Sequence, residues 1–210
     1  SGAFVQSRDG VWLRRNWVDA TFNFCVRATY PPLLRDYLAA LTDPFAFIDV
    51  GANQGLYSIL AARNPACEAV RAFEPVRGTF AFLQANVSAN PHAEKIRLLR
   101  CAVSSHDGEA TISVQPGHSG AASLRGERRG LLRRRETITT IGPATLAALK
   151  PGSPAVIKVD VEGHERVVMQ ALADAGFLAD ARAVCYEVDT RWSDPAALEA
   201  LLRAQGFACF

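Results

Sequence analysis

Short apolar blocks and amphipathic stretches alternate along most of the chain, and the alternation predicts strands and helices in turn. The block Phe45–Val50 is apolar apart from Asp49, too short for a buried helix, and followed at once by glycine, the pattern of a parallel strand buried on both faces. Gly51 and Gly55 then make a turn, and residues 56–62 have the composition of a helix packing back on the sheet. Strands are expected at 68–74 and 96–103 with a helix at 77–89 between them, Pro65 and Pro91 breaking the intervening segments. Asp107-Gly108 turns the chain into an antiparallel addition at 110–114, followed by a loop at 115–135, a strand at 137–141 and a short helix after Pro143. A fourth parallel strand is expected at 156–160, a helix at 165–175 ended by Gly176, and a fifth strand at 184–188. Asp194-Pro195 opens a last helix to Ala204, and 206–210 begins a sixth strand. This order specifies an α/β fold, a mostly parallel central sheet with helices on both faces.

Residues 1–43 read as a small N-terminal β/α extension to the main domain at 44–210. The apolar segments Val11-Trp12-Leu13 and Phe22-Asn23-Phe24-Cys25-Val26 suggest two or three strands in a hairpin-like arrangement. Pro31-Pro32 then opens a helix at 33–41, amphipathic through Leu34, Tyr37, Leu38 and Leu41.

The net charge of +2 gives no reason to expect a nucleic-acid partner. Six arginines crowd residues 125–135, but no aromatic side chains that stack on bases accompany them, so a solvated loop is the plainer reading. No apolar run approaches the ~20 residues that span a bilayer, and no basic-then-apolar leader is present. Five cysteines, an odd number without C-x-x-C spacing, speak against a disulfide framework or a zinc site and for free thiols in a reducing cytoplasm.

The turn after the first parallel strand carries the first chemical signal. A dinucleotide fingerprint needs G-x-G-x-x-G, whereas the spacing here is Gly51-x-Asn53-x-Gly55, so a pyrophosphate is poorly provided for. Asp49 at the strand end repels phosphate and suits a cation, and Glu74, ending the second strand, is placed to accept from both hydroxyls of a ribose. A positively charged, ribose-bearing ligand without pyrophosphate describes S-adenosylmethionine better than NAD. Two other readings stay open: an NAD(P)-linked oxidoreductase, and a non-catalytic domain of the same fold that binds RNA or a protein through its arginine-rich loop.

The blocks Asp49-Val50-Gly51-Ala52-Asn53-Gln54-Gly55, Phe73-Glu74-Pro75 and Lys158-Val159-Asp160-Val161-Glu162-Gly163-His164-Glu165 resemble the FkbM family of S-adenosylmethionine-dependent methyltransferases. The likeness includes Asn86, Asn90 and Ala102-Val103-Ser104, and runs from about Phe45 to the end of the chain. It implies a Rossmann-like class I methyltransferase that binds S-adenosylmethionine through Asp49, Gly51, Asn53, Gly55, Tyr57, Ser58, Glu74, Pro75, Ala102 and Asp160. It also implies a hydroxyl acceptor, on a sugar, glycan or polyketide-type natural product, and a lid role for the helix at 33–41, for which the plain alternative is cover for a sheet edge. Methyltransferase sheets of this class usually close with an antiparallel seventh strand, which is not evident before Phe210 unless an earlier strand fills that edge.

Methyl transfer to an alcohol requires the acceptor oxygen to be held in line and its proton removed. Lys158 and Asp160 lie two apart at the end of the fourth strand and so leave it on one face. Asp160 is expected to orient or deprotonate the acceptor, with Lys158 tuning it; the plain alternative is a structural ion pair. His118, in the small-residue loop 117–123, has the intrinsic pKa of a base at neutral pH. His92, His106 and His164 read as surface residues. Glu162 and Glu187 are expected on the substrate side. Asp160 and Glu187 offer two carboxylates without a clear third ligand, so no metal is assigned.

Overall fold

The computed structural model describes residues 2–115, 117–121, 134–187 and 194–209. Five strands form one parallel sheet: β3 (Phe45–Val50), β4 (Cys67–Phe73), β5 (Ile96–Leu99), β9 (Ala155–Val159) and β10 (Ala181–Tyr186), in the order β10-β9-β3-β4-β5. The order reverses between β3 and β9, the first and fourth strands of this sheet. A ligand crevice is expected beyond their carboxyl ends at such a point.

Alternation along the strands explains the two cores. Phe45 and Phe47 project to one face, where they meet Phe22, Leu38, Ile59 and Leu83. Ile48 and Val50 project to the other, against Met169, Leu172, Phe177 and Leu198. Helices α3 (Leu56–Arg63) and α4 (Arg77–Ser88) cover the first face, and α6 (Glu165–Asp174) and α7 (Pro195–Ala204) the second. The short helix α5 (Pro143–Ala147) packs on α6 through the same second core.

The extension begins with an antiparallel hairpin, β1 (Phe4–Gln6) and β2 (Trp12–Arg14). Two asparagines four residues apart, Asn86 in α4 and Asn90 just past its end, fasten it to the main domain. Asn86 Oδ1 accepts from Arg14 N at 2.7 Å, and Asn90 both accepts from Trp12 N at 3.0 Å and donates to Trp12 O at 2.7 Å. The strand expected around Phe22 is instead a helix, α1 (Ala20–Arg27). Asp19 caps it by accepting from Phe22 N, Thr21, Phe22 and Cys25 turn inward at helical spacing, and Ala28 ends it in a left-handed conformation. Helix α2 (Leu33–Ala40) packs on α3 through Leu34 and Leu38, with Asn64 donating to Leu38 O and Leu41 O. None of its residues lines the cleft described below.

Two other expectations are corrected. The strand foreseen at 96–103 is split: β5 stays in the parallel sheet, while β6 (Ala102–Val103) joins a separate three-stranded sheet with β7 (Gly108–Val114) and β8 (Arg134–Ile141). Residues 110–114, expected as an antiparallel addition, pair antiparallel with β8 in that small sheet. Residues 207–209 adopt no strand after α7. Phe210, Val188 and residues 125–133 of the arginine-rich segment lie outside the described residues.

Candidate active site

The cleft opens where β3, β4 and β9 end, and holds about 650 Å³ of empty space, its mouth included. Gly51, Asn53, Glu74 and Pro75 form its floor, Ala102, Val103 and Ile112 of the small sheet one wall, and Asp160, Val161, Glu162 and His164 another.

Both glycines of the turn have a packing reason. Gly51 has φ 82°, and a Cβ there would lie 1.9 Å from the backbone oxygen of Asp160. Gly55 has φ 87°, and its Cβ would meet Leu83 Cδ1 at 2.5 Å. They let the strand ends and α4 approach each other closely.

Glu74 is buried at the cleft floor, with Oε2 accepting from Asn53 N at 3.1 Å and Oε1 from Val76 N at 2.9 Å. Burial pushes its pKa up to about 7, against the pull of those two N–H groups. Each oxygen keeps a lone pair for a further donor.

Asp49 is placed differently from the sequence expectation. It points to the α3 face beneath the cleft, where Ser58 Oγ donates to Oδ2 at 2.7 Å and Lys158 Nζ lies 3.3 Å from Oδ1. It therefore balances a cation of the chain itself rather than facing one in the cleft. Lys158 Nζ also reaches Asp160 Oδ2 at 3.3 Å and donates to Gly51 O at 3.1 Å, with the Tyr57 ring centroid 5.9 Å away. Burial pulls the Lys158 pKa down, but Asp160 and Asp49 together raise it by more, so the ammonium stays charged. Of the side chains in that group, Asp160's alone lines the cleft, with about a third of it exposed. The nearby Glu187 has its pKa raised first by the Asp160 charge and then by burial.

The sequence of this region matches the model of the methyltransferase FkbM domain over residues 49–209. The chain belongs to the FkbM methyltransferase family. Methyltransferase sdnD of Sordaria araneosa is 30% identical over 121 residues, 58% of this chain and 45% of that protein. The crystal structure of Methyltransferase FkbM from Methylobacillus flagellatus KT superposes with a TM-score of 0.56 at 18% identity, over 81% of this chain and 40% of that one. The chain thus spans under half the length of each.

Within this FkbM domain, Gly51, Asn53, Glu74, Pro75, Ala102, Asp160 and Glu162 meet in the cleft, while Asp49, Tyr57, Ser58 and Lys158 form a buried polar layer beneath it. His118 does not line the cleft; its neighbours Ser119 and Gly120 do. His164, read from sequence as a surface residue, lines it too, with Nε2 3.3 Å from Ser104 Oγ. Asp19, Gln54 and Ser119 went unassigned in the sequence. The one signal pointing to them was Asp19 as a helix cap, hidden once 22–26 was read as a strand. Among the described residues no group of three or more His, Cys, Asp or Glu side chains could hold a metal ion, and no helix is long and apolar enough to cross a membrane.

Proposed function

We propose that the chain is an S-adenosylmethionine-dependent O-methyltransferase acting on a hydroxyl of a sugar, glycan or polyketide-type natural product. The observation that carries the reading is Glu74: a buried carboxylate at the end of β4, fixed by two backbone N–H groups and lining a cleft at the strand-order reversal. Its remaining lone pairs suit two adjacent ribose hydroxyls. Val76, Ala102, Val103 and Ile112 supply the apolar wall that a purine ring needs.

When bound, S-adenosylmethionine supplies a methyl group on a positively charged sulfur. The protein then has to bring the acceptor oxygen into line and take its proton. Asp160 is the cleft carboxylate suited to this, because Lys158 Nζ, 3.3 Å away, fixes one of its oxygens at the cleft edge. Glu162, which lines the cleft, and Glu187, close enough to Asp160 to feel its charge, are the side chains assigned to the acceptor side. Dinucleotide binding is disfavoured because the spaces beside Gly51 and Gly55 are filled by Asp160 and Leu83, leaving no approach for a pyrophosphate.

The test follows S-adenosylhomocysteine release across a panel of hydroxylated sugars and polyketides, with amine and carboxylate analogues as controls. Turnover with a hydroxyl acceptor supports the reading; methylation confined to amines or carboxylates contradicts it.

A further inference from the structure

The extension lies ahead of the matched family segment, yet one of its side chains reaches the cleft wall. Asp19 is buried, and its two oxygens receive hydrogen bonds from three separate parts of the chain. Phe22 N donates to Oδ1 at 2.9 Å within α1, and Gln54 Nε2 donates to Oδ1 at 3.1 Å from the glycine turn. Ser119 N donates to Oδ2 at 2.8 Å from the cleft loop. Ser119 Oγ stands 3.1 Å from Asp19 Oδ1 and 2.9 Å from Asn53 Oδ1, so its single proton has an acceptor on either side. Two further bonds run alongside. Gly120 N donates to Thr21 Oγ1 at 3.0 Å, and Ala20 N donates to Gly117 O at 3.0 Å.

We infer that Asp19 is a positioning residue, through which the N-terminal extension holds Ser119 and Gly120 against Asn53 and so completes the ligand cleft. The chemistry requires a carboxylate. Every neighbour of Asp19 in this cluster offers it an N–H or O–H, and an ionised carboxylate accepts at all its lone pairs and donates nowhere. An asparagine keeps the helix cap, since Asn caps as well as Asp, but it turns one –NH₂ against these donors. The substitution Asp19→Asn therefore separates the cap, which survives, from the latch, which does not. As Asn53 also donates to Glu74 Oε2, a loosened loop removes one support of the residue placed at the ribose.

The inference rests on the methyl-donor reading for its ligand but not for its geometry, and the experiment reads the two separately. Amide hydrogen exchange of residues 117–121 is measured in the full chain as wild type, Asp19→Asn and Thr21→Val, and S-adenosylhomocysteine affinity is measured on the same samples. Faster exchange at 117–121 in Asp19→Asn, with affinity lower by about tenfold to a hundredfold, is expected, and a smaller change in the same direction for Thr21→Val. Unchanged exchange in both variants overturns the latch whatever the ligand is. Faster exchange with undiminished affinity overturns its role in the cleft. A wild type that binds no S-adenosylhomocysteine, with exchange still faster in both variants, supports the latch and removes the methyl-donor reading instead.

Discussion

Asp49 of β3 and Lys158 of β9 are register partners, and their side chains meet as a buried ion pair of 3.3 Å on the α3 face of the sheet. The pair explains why an acidic residue stands in an otherwise apolar strand. Replacing Lys158 by methionine leaves the Asp49 charge buried without its cation, which costs about 3–5 kcal/mol. Urea denaturation should show that loss, and Asp49→Asn combined with Lys158→Met should restore most of it. A single variant as stable as wild type rules the pair out as the reason.

The pH dependence of stability should carry the mark of Glu74. Its pKa is about 7 in the fold against an ordinary 4.5. The folded chain therefore holds this proton more tightly than the unfolded one, so stability falls as pH rises from about 4.5 to about 7 and that contribution is gone above it. The contribution is on the order of 3 kcal/mol. Denaturation curves between pH 4 and pH 8, chosen to bracket the ordinary carboxylate range, should show the fall in wild type and not in Glu74→Gln. Parallel profiles for the two proteins contradict the assignment.

The two glycines of the turn should differ in what they tolerate. At Gly55 an added methyl meets the end of a leucine side chain, which can rotate away, so Gly55→Ala costs about 1–2 kcal/mol for its left-handed backbone. At Gly51 the obstacle is the backbone oxygen of Asp160, and Gly51→Ala should lose more than about 4 kcal/mol. Thermal midpoints in the reverse order would show that close approach of the strand ends is not what the first glycine serves.

Much of the central sheet was legible because its strands are short, mostly apolar and bounded by turn residues, as Phe45–Val50, apolar apart from Asp49, is by Pro44 and Gly51. The five-residue run Phe22–Val26 was ambiguous by length alone, since apolar segments of that size fit strand or helix. Asp19 and Ala28, which fix the ends of α1, decided it. The break between β5 and β6 follows a change of sheet that no periodicity records. In the cleft, Glu74 and Asp160 were readable as strand-end carboxylates. The partner of Asp49 was not, because it lies on a strand more than a hundred residues away and is brought alongside only by parallel register. Ser119 displaced His118 in the same loop for the same reason: its place is set by bonds to Asp19 and Asn53.

If Asp160 takes the acceptor proton, Asp160→Asn should cut turnover by about a hundredfold or more while donor affinity changes only a fewfold. The amide keeps the shape and the contact with Lys158 but removes the base. Turnover surviving within a fewfold moves the proton to another acceptor.

The most direct test is titration calorimetry of S-adenosylmethionine and NAD against wild type and Glu74→Gln. Binding of S-adenosylmethionine by the wild type, weakened about tenfold or more in the variant, with no heat from NAD, is the expected result. Equal affinity in both proteins, or heat from NAD alone, would contradict a ribose held by Glu74.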